Sequence, residues 1–156
     1  MKKFTAFMAI GALAGGSLLI APANAEEKSV AETSGPVAIG EPEAGKGQVV
    51  FFRTGGMGFA MGCGVNENNT RISALGAGKY FKIPVESGTH SYMAKSEAKD
   101  VLTLEVEPGE TYYVRCTIKM GIMAGRPNLS PSTKDEFDQS SSKLKYVDAD
   151  DFGPKS

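Results

Sequence analysis

The sequence predicts an all-β chain: a small antiparallel β-sandwich of Greek-key or Ig-like type, with about seven strands followed by a short C-terminal helix. Three observations carry this expectation. Apolar side chains recur at every second position through several stretches between Gln48 and Lys119, the period of a strand with one dry face and one wet face. Turn chemistry interrupts those stretches at short intervals, as at Asn66-Glu67-Asn68-Asn69, Gly76-Ala77-Gly78, Glu86-Ser87-Gly88 and Pro108-Gly109. A length of 156 residues suits one domain.

Residues 1–25 read as a cleavable export signal. Lys2 and Lys3 precede an apolar run from Phe4 to Ile20, and Ala23-Asn24-Ala25 is an A-x-A cleavage site. The run is softened by glycine and short for a bilayer span. We therefore expect a periplasmic or secreted protein, cut after Ala25, with no transmembrane segment left. Two of the 17 basic residues and none of the 18 acidic ones fall in the leader, so the remainder carries 15 against 18, a formal charge of −3. That balance offers no attractive field to nucleic acid or to an anionic membrane.

Residues 26–45 are poor in large apolar side chains and are expected to form a disordered linker, because they bury too little to offset the entropy of ordering. The sandwich is expected over 46–131. Val49-Val50-Phe51-Phe52 is apolar without alternation, as in a central strand covered on both faces. Phe59, Met61, Cys63 and Val65 alternate with Ala60, Gly62 and Gly64, a strand with one nearly bare side. Ile72 to Leu75 is a brief strand. Phe81, Ile83 and Val85 give the next dry face, with Pro84 marking an edge or an end because it has no N–H to donate. His90, Tyr92 and Ala94 share one side of the strand after that.

Val101 to Met120 holds the clearest alternation: Leu102, Leu104 and Val106, then Tyr112, Val114, Cys116 and Ile118. We read it as a hairpin. An odd loop, Glu107-Pro108-Gly109, pairs Leu104 with Tyr112 and keeps both dry sets on one face, with Gly109 at positive φ. Gly121 to Pro131 reads as loop. Residues 132–156 read as a C-terminal helix and tail. Ser132-Thr133-Lys134-Asp135-Glu136 has the hydroxyl cap and first-turn acids of a helix start, with Phe137, Leu144 and Val147 as anchors.

The search for chemistry is short. Cys63 and Cys116 each fall on the dry side of their strand, and export permits pairing. A possible disulfide and two separately buried thiols both satisfy the pattern. His90 is the only histidine. As a catalytic base it would need a nucleophile and an orienting carboxylate, and its place beside Tyr92 suits a hydrogen-bonded, largely buried ring. The Gly55–Gly64 stretch has neither dinucleotide nor P-loop spacing, and Asp148-Ala149-Asp150-Asp151 places Phe152 where a calcium ligand is needed.

Three runs carry a family resemblance: Tyr80-Phe81-Lys82-Ile83-Pro84-Val85 with Gly88-Thr89-His90; Leu102-Thr103-Leu104-Glu105-Val106-Glu107-Pro108-Gly109; and Thr111-Tyr112-Tyr113-Val114-Arg115 followed by Gly125-Arg126-Pro127. In order and spacing, from about Gly47 to Leu129, they resemble the bacterial family called domain of unknown function 2846. The resemblance implies a small envelope β-sandwich, often carried on a lipoprotein, with no established reaction and no catalytic residues to transfer. This sequence has no cysteine at the cleavage point, so the resemblance does not extend to a lipid anchor.

These readings converge on an exported, non-enzymatic binding or interaction module of the bacterial cell envelope. The expected partner is an envelope protein or glycan, and no cofactor is implied. The candidate interaction surface is the loop end holding Met57, Met120, Met123 and Arg126, since loops on a rigid sandwich carry function. The alternative is a small-ligand or Cu(I)-binding periplasmic protein that uses its methionines as thioether ligands, against their ordinary use as core filler.

Overall fold

The computed structural model describes residues 35–56, 58–95, 100–121 and 125–148. The expected leader, residues 1–25, lies outside them. In chain order the described elements are β1 (Gly47–Arg53), β2 (Cys63–Glu67), β3 (Thr70–Leu75), β4 (Lys79–Val85), β5 (Gly88–Ala94), β6 (Val101–Val106), β7 (Thr111–Lys119), β8 (Arg126–Ser132), α1 (Lys134–Ser141) and β9 (Lys145–Tyr146). A five-stranded sheet, β8-β7-β1-β4-β9, lies against a four-stranded one, β3-β2-β5-β6. This is the all-β sandwich with one short helix that the alternation predicts.

The apolar run at Val49–Phe52 explains the centre. β1 is buried along its whole length. Val49 and Phe51 face the space between the sheets, where Phe51 stacks on Phe81 with centroids 4.9 Å apart and meets Tyr92 edge-on at 5.1 Å. Val50 and Phe52 face the other way, into a second cluster with Tyr80, Tyr113, Phe137 and Leu144. Burying each such side chain stabilises the fold by about 1.5–3 kcal/mol. The second cluster exists because α1 lies over the outer face of the five-stranded sheet. Thr133 caps the helix, its hydroxyl accepting from the Glu136 N–H, as the hydroxyl-and-acid pattern predicts.

Several expectations are corrected. Leu104 does not pair with Tyr112. β6 pairs with β5 in one sheet, while β7 pairs with β1 and β8 in the other. Glu107-Pro108-Gly109-Glu110 is therefore an arch between sheets, with Gly109 at φ +81° and its N–H donating to Lys46 O. Alternation cannot separate an arch from a hairpin, because both leave the same side chains dry. Nor is the sandwich antiparallel throughout: β1 runs parallel to β7, and β4 parallel to β9.

Nine strands occur among the described residues rather than seven. Residues 126–131, expected as loop, belong to β8. Its prolines are tolerated because β8 is an edge with β7 as its one neighbour. Pro84 obeys the same rule, lying beyond Tyr80, the last β4 residue paired to β9. The strand expected from Phe59 starts only at Cys63; residues 58–61 form turns, and Phe59 is 79% exposed.

The expected linker also differs from Gly35 onward. Val37 and Ile39 pack on the outer cluster, Val37 N–H donates to Ser141 Oγ at 2.9 Å, and Gln48 Nε2 donates to Gly40 O at 2.6 Å. Two apolar side chains suffice because the helix and sheet already offer the surface they cover.

Candidate functional site

β1 carries its inward alternation one step past Phe51, to Arg53. That guanidinium is buried, and burial pushes its pKa down. Nη2 donates to Gly58 O at 2.6 Å, and Nη1 donates to the carbonyls of Met61 and, at 3.3 Å, Leu75. A buried cation is tolerable only when its donors are satisfied. Here three carbonyls do so, and in return the charge fixes the Gly58–Met61 turn against the end of β3. Sequence reasoning missed this role, although the period-two placement of Val49, Phe51 and Arg53 was the available signal.

The fixed turn meets the far end of β7. A Cβ on Gly58 would stand 3.0 Å from Ile118 Cγ2; one on Gly125 would stand 2.6 Å from that atom and 2.7 Å from Met61 Sδ. Gly58, after β1, and Gly125, before β8, thus both approach Ile118. Phe59 follows Gly58, and Met120 stands two residues beyond Ile118 at 81% exposed. Two large apolar side chains therefore face solvent at the same end. Met57 and Met123 lie outside the described residues.

Arg126, expected on the candidate interaction surface, is engaged in an ion pair. Its Nη2 lies 3.2 Å from Asp100 Oδ2, and Asn128 Nδ2 donates to the same oxygen at 3.3 Å. Asp100 immediately precedes β6, so this pair ties the edge strand β8 to the entry of the opposite sheet.

Cys63 and Cys116 are joined, with an S–S distance of 2.03 Å. The bond links β2 to β7 and so crosses from one sheet to the other. It removes both thiolates from the soft ligands on which a Cu(I) site could draw. Among the described residues no group of three or more His, Cys, Asp or Glu side chains is placed to hold a metal ion. No described helix is long and apolar enough to cross a membrane.

His90 is half-buried on β5, between Glu67 Oε1 at 2.6 Å from Nδ1 and the Glu86 carbonyl at 2.9 Å from Nε2, with its ring stacked over Tyr92 at 6.2 Å. Burial draws its pKa down, but the bonds to Glu67 and Glu86 O and the charges of Glu67 and Glu105 outweigh it, leaving the value raised above the ordinary 6.5. Burial, and then Glu67, push the Tyr92 hydroxyl up. A raised histidine binds its proton more tightly in the folded state. Its contribution is whole below pH 6.5 and fades as pH rises through the folded value. The denaturation midpoint of the wild type should therefore exceed that of His90→Gln by the most at pH 6. The gap, up to about 1 kcal/mol for a partly exposed ion pair, should narrow above neutrality. A gap that widens with pH would contradict this arrangement.

Comparison with known proteins follows the same outline. The family model described as "Protein of unknown function (DUF2846)" matches residues 43–128, from just before β1 into β8. An uncharacterized protein of Haemophilus influenzae is 26% identical over 128 residues, covering 81% of this chain and 76% of that protein. No solved structure matches the chain. The matched segment holds both halves of the sandwich, the Cys63–Cys116 bridge and the arch at Pro108-Gly109, and the chain belongs to the DUF2846 family.

Proposed function

We propose that this chain is an exported, non-enzymatic interaction module of the bacterial cell envelope, which presents the loop end around Ile118 to an envelope protein or glycan. The observation that carries this reading is the pair Phe59 and Met120, 79% and 81% exposed, beside a Gly58–Met61 turn held by Arg53 and beside Ile118, which Gly58 and Gly125 closely approach. Large apolar side chains held in solvent on a rigid scaffold offer area that a partner can cover. The Cys63–Cys116 bond is consistent with export, since such bonds persist in oxidising compartments. The A-x-A site at Ala23-Asn24-Ala25 supplies the route.

Capture from envelope extracts tests the surface. Phe59→Ser with Met120→Ser should reduce recovery of a saturable partner several-fold while leaving the melting temperature unchanged. Glu107→Ser, on the exposed arch at the opposite end of the sandwich, should leave recovery intact. Equal capture by the double variant and the wild type would refute the placement. Export is tested separately: the chain isolated from cells should begin at Glu26.

A further inference from the structure

The parallel ladder between β1 and β7 runs from Gln48↔Thr111 to Phe52↔Arg115 and then stops. Beyond it β7 continues along β8 as far as Lys119↔Arg126, while β1 follows β4 to Arg53↔Lys79. The two strands part, and a cleft of about 130 Å³ opens between Arg53-Thr54-Gly55 and Arg115-Cys116-Thr117-Ile118. That lining contains two arginines and two threonines, and no carboxylate. Main-chain groups that a longer ladder would have paired border the same space.

Arg115 is the informative residue. Its Nε is buried and has no hydrogen-bond acceptor, and no ion pair engages its guanidinium among the described residues. A buried donor without an acceptor costs about 1–3 kcal/mol, and more when it is charged. Native proteins rarely retain such a group unless something supplies the missing acceptor. Arg53 lines the same cleft, but its guanidinium turns inward between the sheets to the carbonyls of the Gly58–Met61 turn and Leu75, whereas Arg115 follows Tyr113 on the outer face, so Arg115 is the donor left for an acceptor in the cleft. From these features we infer that the cleft binds a single oxyanion group, a phosphate or a carboxylate, with Arg115 as principal donor and the Thr54 and Thr117 hydroxyls beside it. Guanidinium forks suit both oxyanions. The volume lies well below the roughly 300 Å³ at which pockets for drug-sized molecules begin, so one anionic head enters and the remainder of its carrier stays outside. This inference goes beyond the interaction-module reading and does not require it.

Nuclear magnetic resonance of the full chain, labelled with ¹⁵N at arginine, tests it without any substitution. Inorganic phosphate, acetate and sodium chloride are titrated at matched ionic strength, and the Arg115 Nε–Hε resonance is followed. A saturable shift with phosphate or acetate, and none with chloride, is the expected result. Saturation by phosphate alone assigns a phosphate-bearing ligand, and saturation by acetate alone assigns a carboxylate. Calorimetry should then show binding weakened at least about tenfold in Arg115→Gln, the loss of one charge-assisted bond. Arg71→Gln, at an exposed position near the start of β3, should stay within about twofold of the wild type. An Arg115 resonance unmoved by both anions, equal shifts with chloride, or equal weakening in the Arg71 variant would overturn the inference. Should Arg115→Gln fail to fold, the wild-type resonance decides alone.

Discussion

Replacing Cys63 and Cys116 together by alanine is expected to lower the free energy of unfolding by about 4 kcal/mol. The bond joins positions 53 residues apart, and closing a loop of that length removes chain entropy from the unfolded state worth about 4 kcal/mol in the loop-closure model. Both sulfurs are buried in the core between the sheets, so the double alanine also leaves a void that the neighbouring Phe51, Leu75 and Val114 cannot wholly fill. The measurement is the urea midpoint of oxidised wild type, wild type reduced under denaturant and kept reduced, and the alanine pair. The two bridge-less forms should agree to within about 1 kcal/mol, their difference reflecting the void alone. A bridge-less protein as stable as the oxidised one would show that the sheets hold each other without it.

Phe137→Ala should be comparably damaging, at about 3–5 kcal/mol, although it lies outside the space between the sheets. Its ring is fully buried and touches three others, Phe52 on β1 at 5.4 Å, Tyr80 on β4 at 5.6 Å and Tyr113 on β7 at 5.5 Å. One side chain from α1 thus covers three adjacent strands, and its loss opens the outer cluster. The damage should spread to residues 35–45, because Val37 and Ile39 rest on that cluster and Val37 N–H is bonded to Ser141 at the helix end. Hydrogen exchange at the Val37 amide should therefore accelerate in the variant beyond what the global loss explains. Phe59→Ala removes the same ring from an exposed site and should change stability by less than about 0.5 kcal/mol. A Phe137 variant that loses under 1 kcal/mol would mean that the helix is not seated on the sheet.

How far the sequence reaches depends on whether a feature is local. The two-sided burial of β1 was legible because Val49-Val50-Phe51-Phe52 leaves no polar position for water. The helix start was legible because Thr133 accepts from the Glu136 N–H while Asp135 and Glu136 put negative charge in the first turn, and the positive φ of Gly109 follows from the turn chemistry of Pro108-Gly109. Partner choice was not legible. β6 and β7 carry the right dry faces, yet nothing in their alternation says that they belong to different sheets. β8 was hidden by Pro127 and Pro131, which argue against a strand unless its position at an edge is already known. The loop end was half legible: the glycines announced a turn, but the alternation of Phe59, Met61 and Cys63 imitated a strand across it. Arg53 left one signal, its inward place two residues after Phe51, whereas Arg115 was invisible as a site residue, since what distinguishes it is the cleft formed with β1, a segment far along the chain.

The position of β1 has a consequence for when this protein can take shape. The strand is completed at Arg53, but its two flanking places are taken by Lys79–Val85 and Thr111–Lys119, so one whole side of its backbone waits for sixty or so further residues to be synthesised. A nascent chain halted before Thr111 has neither that neighbour nor the second cysteine. Completion of the five-stranded sheet and closure of the bridge between the sheets are therefore late steps, open only once most of the chain has been made.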